Sequence, residues 1–148
     1  MMPAPLRPDE LPGLVAQQLI RTCQQSEVTR TQLAFYCAAA GVTDPIHYDS
    51  TFARQSGFAD NVVNGSLRVA WMAQALHELA LPRGSLVRLQ CAHRGLMLVG
   101  ATPCIEIRYQ GHTHCDDGLL VELSIQTLID GRACDLGTGA VLIKSANS

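Results

Sequence analysis

The sequence is short of charge, and of charge of one sign in particular: eleven basic against thirteen acidic residues, a net of −2, with charged residues making up 16% of the chain. No single-sign field is available to neutralise a phosphate backbone, which reads against nucleic acid as a partner. No apolar run approaches the ~18 residues that span a bilayer, so no membrane segment is expected. The opening stretch, Met1 to Pro12, is rich in proline but has no apolar core of the kind a secretory leader carries. Paired cysteine motifs are missing as well. Cys23, Cys37, Cys91, Cys104, Cys115 and Cys134 are scattered with no CxxC among them. That pattern reads as separate thiols in a reducing, cytoplasmic compartment rather than as a disulfide framework or a zinc site.

What is present is the composition of a folded globular domain, 47% hydrophobic over 148 residues, long enough for one real core. Residues 1–12 are expected to be a flexible lead-in and residues 13–148 a single domain. Leu14, Val15, Leu19 and Ile20 form a short apolar cluster, read as a strand or part of a helix. Thr29 to Ala40 has a threonine cap, an apolar face containing Leu33, Phe35, Tyr36, Ala39 and Ala40, and Gly41 as a helix stop. Asp44-Pro45 biases the chain away from helix, and Ser50 to Ser56 reads as a short helical turn stopped at Gly57. From Ser66 to Leu79 the pattern is a long helix, apolar nearly all round, and therefore buried; Pro82-Arg83-Gly84 ends it.

Beyond Ser85 the pattern becomes alternating. Ser85 to Ala92 sets Leu86, Arg88 and Gln90 on one side and Val87, Leu89 and Cys91 on the other. Thr102 to Tyr109, Leu119 to Ile129 and Ala140 to Lys144 are also strands. Turns are expected at Arg94-Gly95, Gln110-Gly111, Asp116-Asp117-Gly118 and Asp130-Gly131. Helices followed by an antiparallel meander give an α+β layout with one central buried helix.

Two blocks carry more specific information: Gly41-Val42-Thr43-Asp44-Pro45-Ile46-His47-Tyr48-Asp49, continuing to Phe52-Ala53-Arg54 and Gly57-Phe58, and then Val62-Val63-Asn64-Gly65-Ser66-Leu67. Together they resemble the hydratase signature of MaoC-like (R)-specific enoyl-CoA hydratases and acyl dehydratases. In that family an Asp-x-Asn-Pro-x-His loop precedes an aspartate, an Ala-Arg pair, a Gly-aromatic pair and a His-Gly-x-Leu that opens the central helix. The resemblance runs without a gap over roughly residues 31 to 75. A weaker echo continues through Arg94-Gly95-Leu96-Met97-Leu98-Val99-Gly100-Ala101-Thr102.

The resemblance implies a hot dog fold, in which a curved antiparallel sheet wraps a long central helix. It also implies water addition to, or removal from, an acyl thioester such as an acyl-CoA, with no cofactor and no metal. A base must activate the water, an acid must protonate the α-carbon, and the enolate oxygen needs stabilising as charge develops. His47 falls on the family's catalytic histidine, and Gly65 on the glycine whose amide supports the thioester oxygen at the mouth of the central helix. Asn64 and Ser66 flank that amide and are read with Gly65 as substrate-binding residues. The family's aspartate, five residues before the histidine, is Val42 here, and valine moves no proton. Asp44 occupies the family's asparagine position and is the candidate second catalytic group, although an Asp-Pro turn needs no functional reason. Asp49 reads as a cap on the turn that follows it.

Three readings follow. The chain is a hydratase with a non-standard dyad, acting as a homodimer or with another hot dog chain. Or it is a non-catalytic hot dog subunit that binds acyl-CoA or completes a partner's site. Or it is a thioesterase; these usually place an acid on the central helix, where Ser66 to Leu79 offers only Glu78 near its far end. Gly111-His112-Thr113-His114-Cys115-Asp116-Asp117 has ligand-type residues at i and i+2, but it reads first as a solvated turn. Arg88, Arg94 and Arg108 are the cations from which CoA phosphate contacts would be drawn, and nothing in the sequence separates them from ordinary sheet arginines.

Overall fold

The computed structural model describes residues 4–145. Three helices precede most of the sheet: α1 (Arg30–Ala40), α2 (Ser50–Gln55) and α3 (Gly65–Ala80). The strands are β1 (Leu19–Gln24), β2 (Gly84–His93), β3 (Cys104–Cys115), β4 (Gly118–Ile129) and β5 (Arg132–Lys144). They form one antiparallel sheet in the order β1-β3-β4-β5-β2, with α3 laid against it. This is the hot dog arrangement.

The sheet and α3 meet through matched periodicities. Met72, Ala75, Leu76 and Leu79 recur at three- and four-residue spacing and are buried, which places them on one helical stripe. They face Ile105 and Ile107 of β3, Val121, Leu123 and Ile125 of β4, and Val141 and Ile143 of β5, each set spaced by two as one face of a strand requires. Leu76 comes so close to β5 that a methyl on Gly139 would lie 2.5 Å from its Cδ1. Glycine there lets helix and sheet approach. A second, smaller core gathers Val28, Leu33, Val63, Leu67 and Met97 under α1.

Several expectations need correction. The proline-rich start is held down over its described part: Leu6 donates its amide to Leu79, and a 3-10 turn over Pro8–Gly13 seats Leu11 in the main core; residues 1–3 lie outside the described residues. On α1 the buried pair is Leu33 and Cys37, while Phe35 is 73% exposed. In β2 the register slips between Leu86 and Arg88. This bulge turns Leu86, Leu89 and Cys91 all toward the core and leaves Val87 outside. Gln110-Gly111 is likewise an irregularity within β3, and the hairpin lies farther on, where Cys115 pairs with Gly118. The helix α3 is not buried all round: Ser66, Ala70, Gln74 and His77 form an exposed stripe, and its buried side includes Arg68.

Thr29 caps α1 by accepting from Gln32 N, and Gly41 ends it in the left-handed region at φ 68°. All six cysteines are free thiols, and burial pushes Cys23, Cys37, Cys91, Cys104 and Cys134 above the ordinary thiol range, which leaves them poor nucleophiles. No helix among the described residues is long and apolar enough to cross a membrane.

The segment before α3 is fastened by Asp60. Its carboxylate accepts from Asn61 N at 2.8 Å and meets Arg30 at 2.5 Å and Arg54 at 3.6 Å. The Asn61 amide, helped by the two guanidinium groups, holds Asp60 below the usual carboxylate range against partial desolvation. A carboxyl depressed on folding stabilises above its ordinary value of 3.8 and stops doing so as acid protonates it. Asp60→Asn is therefore expected to lower Tm modestly at pH 7, with the difference from wild type shrinking as the pH falls below 3.8. Thermal melts over that range check it, and a pH-independent difference would remove the charge explanation.

Candidate functional site at the N-terminus of the central helix

The candidate residues converge on the start of α3. Pro45–His47 form a 3-10 turn, and Asp44 caps it by accepting from Ile46 N at 3.2 Å. The next residues, 61–63, run between this turn and residues 97–99. Val62 N and Asn61 Nδ2 donate to Ile46 O, and Val63 N donates to Met97 O. His47 is fixed by the same strip, with Nδ1 2.8 Å from Val62 O. A carbonyl oxygen can only accept, so Nδ1 is the donor, and in the neutral ring Nε2 is left as a proton acceptor.

Two residues after Val62, Asn64 begins the helix. It is buried, and its side-chain oxygen accepts from Ser66 N at 2.9 Å and from the Ser66 hydroxyl. Tyr36 of α1 donates to Ser66 Oγ at 2.9 Å. These bonds fix the first turn of α3 around Gly65. The amide of Gly65, as first residue of the helix, has no carbonyl one turn back to bond. The positive end of the helix dipole adds to it, which gives this helix start a positive potential suited to an anion.

Of the expected site residues, Asn64, Gly65 and Ser66 form the start of α3, and His47 is fixed to Val62, two residues before its cap. Asp44 is exposed and engaged as the turn's cap. Asp49 caps α2 through Thr51 N and Phe52 N. Arg88 pairs with Glu122, Arg108 with Glu106, and Arg94 is exposed. His112 lies in the outer part of β3 with Nδ1 2.5 Å from Tyr109 Oη.

A second group, which the motif does not contain, packs against Gly65. His93 at the end of β2 is the cross-strand partner of Asp135 on β5, with Nδ1 2.6 Å from Asp135 Oδ1. Asp135 is fully buried and is held at both oxygens by Arg68, through Nη2 at 2.6 Å and Nε at 3.2 Å. Arg68 Nη2 also donates to Gly95 O and Cys134 O. The other edge of the His93 ring faces the helix start: a methyl on Gly65 would lie 2.9 Å from His93 Nε2. The sequence signal was an arginine inside an otherwise apolar helix, which demands a buried anion; Asp135 supplies it. A separate cleft of about 560 Å³ opens at the opposite end of α3, beside Leu81, Pro82, Leu119 and Lys144, and includes none of these residues.

Residues 14–126 match the family described as MaoC like domain. Among solved structures, the chain is similar to an (R)-hydratase from A. caviae involved in PHA biosynthesis, with 16% identity, TM-score 0.73, and 85% of this chain and 96% of that chain covered. It is similar to the R-hydratase PhaJ1 from Pseudomonas aeruginosa at 16% identity and TM-score 0.75, covering 89% and 83%. A chain of the ChsH1-ChsH2 complex from Mycobacterium tuberculosis gives 13% identity and TM-score 0.75, covering 88% and 98%. At these identities the likeness to solved structures establishes the fold. A search of the curated proteins finds no match.

Gly65 is confined by an imidazole that Asp135 holds in place. Gly65→Ala is expected to cost about 1–3 kcal/mol, the usual range for overpacking, measured by denaturant unfolding. In a His93→Ala background the same substitution should cost markedly less. An equal cost in both backgrounds would mean that His93 does not set the constraint.

Proposed function

The chain belongs to the MaoC-like domain family, and from that premise we propose that it hydrates α,β-unsaturated acyl thioesters, or dehydrates the 3-hydroxyacyl product, at the N-terminus of α3. The observation that carries this reading is His47: its Nδ1 is committed to Val62 O at 2.8 Å, leaving Nε2 as a base beside a helix start. The thioester oxygen sits on the amide of Gly65, where charge developing on it as the enolate forms meets an unpaired N–H and the helix dipole. Water held by His47 Nε2 loses its proton as its oxygen attacks the β-carbon. Asn64 and Ser66 take part by holding the first helical turn in place.

Val42 favours a second reading. With no carboxylate at the position five residues before His47, the chain acts as a hot dog subunit that binds acyl-CoA or completes the site of a catalytic partner. The unpaired side of β2, a ten-residue strand at the sheet edge, suits pairing with a second hot dog chain.

Crotonyl-CoA separates the two. For a hydratase, the isolated protein consumes the enoyl thioester, and His47→Ala lowers kcat/KM by about 10²-fold or more, the usual yield of an acid–base group. For a subunit, turnover arises only on mixing with a catalytic MaoC-like chain and is indifferent to His47→Ala. Inactivity alone, in the mixture and after Val42→Asp would overturn the hydratase reading.

A further inference from the structure

The hydration assigned above leaves one proton without a carrier. If His47 takes a proton from water, a different group must deliver one to the α-carbon, and the family's carboxylate position is occupied by Val42. Resting on that reading, we infer that His93 is this second catalytic group, and that Asp135 and Arg68 are its positioning residues.

Asp135 does not need His93 in order to be buried: both of its oxygens already accept from Arg68. Arg68 in turn spends its remaining reach on the carbonyls of Gly95 and Cys134. Of the three side chains, Arg68 is 5% exposed and Asp135 0%, whereas His93 is 39% exposed. His93 is therefore the member through which a sealed ion pair reaches solvent and any bound ligand. A carboxylate at Nδ1 fixes the ring plane and backs a proton carried on Nε2, the arrangement by which an acid orients a working histidine. That Nε2 faces Gly65, the residue proposed to hold the thioester oxygen. The α-carbon is one bond from the carbonyl carbon held there.

The step balances. Water's oxygen bonds to the β-carbon and its proton passes to His47 Nε2, while the π pair of the double bond moves to give the enolate. The enolate collapses as His93 Nε2–H gives its proton to the α-carbon. His47 then releases a proton to solvent and His93, open to solvent, takes one up, so the sum is one water added across one double bond. Dehydration runs the same transfers in reverse.

The test is made on the full chain with crotonyl-CoA, using His93→Gln, which keeps a polar side chain of similar reach at a half-exposed position, and the imidazole ¹⁵N resonances of the wild-type protein. The expected result is a fall in kcat of about 10²-fold or more with KM changed little, and a shift of the His93 Nε2 resonance when crotonyl-CoA binds but not when free coenzyme A is added. Asp135→Asn should lower kcat as well, with far-UV dichroism and Tm reported to separate misfolding from loss of orientation. Turnover retained in His93→Gln, or a His93 resonance indifferent to bound crotonyl-CoA, overturns the role of His93 and leaves the hydratase reading standing. Binding without turnover, alone and with a catalytic hot dog partner, also overturns it. Neither binding nor turnover overturns that reading, and this inference with it.

Discussion

The arrangement at the helix start depends on one buried ion pair, Arg68 with Asp135. Two ions taken out of water lose several kcal/mol of hydration each, and their mutual attraction repays that only when geometry and hydrogen bonding are good. Here they are: a fork of two nitrogens meets two oxygens, and the leftover donor capacity of Arg68 goes to two backbone carbonyls. Because those carbonyls belong to Gly95 and Cys134, the pair ties α3 to β5 and to the chain leaving β2 at the same point. Moving the helix by a fraction of its pitch would strand a charge in the interior. Apolar side chains of equal volume would often stabilise as well, but they would not hold an imidazole at a chosen angle.

The central helix is thus divided along its length. Its C-terminal half is fixed by shape, with Met72, Ala75, Leu76 and Leu79 set into the sheet and Gly139 giving way for Leu76. Its N-terminal half adds directed polar bonds to the packing of Leu67: Asn64 to Ser66, Ser66 to Tyr36, and Arg68 to Asp135. Apolar packing tolerates small shifts of register, whereas a bond at 2.6–3.2 Å does not. The half on which the proposed site stands is the one built from such bonds, the kind of fixing that preorganised catalysis requires.

Much of this was legible in the sequence, and the reasons it was or was not are specific. The helix over Arg30–Ala40 announces itself through a threonine cap and a stopping glycine, both local signals. The long helix and the strands follow from periodicities of 3.6 and 2, and His47, Asn64 and Gly65 from a motif with fixed spacing. What stayed hidden is long-range. The bulge at Leu86/Arg88 changes which side of β2 is inside without changing any residue's preference. His93 and Asp135 are forty-two positions apart, and only the pairing of β2 with β5 makes them neighbours. Phe35 belongs to the helix's apolar spacing yet is exposed, because α1 covers the core with Leu33 and Cys37 instead.

Val42 sharpens the chemical question, since losing one proton carrier from a pair that works as a unit normally removes most of the rate. The helix terminus itself is unaffected by that loss: the amide of Gly65 and the dipole behind it keep the positive potential that the proposed oxyanion role needs. Proton transfer is less demanding of origin than of direction, so a carrier can enter from any element that reaches the same atoms. The loop that carries His47 is tethered to Val62, just ahead of the helix cap. Strand β2 brings its last residue, His93, braced on Asp135, against Gly65. A glycine at position 65 is what the approach of β2 requires, because a side chain there would push against the His93 ring before a substrate arrived.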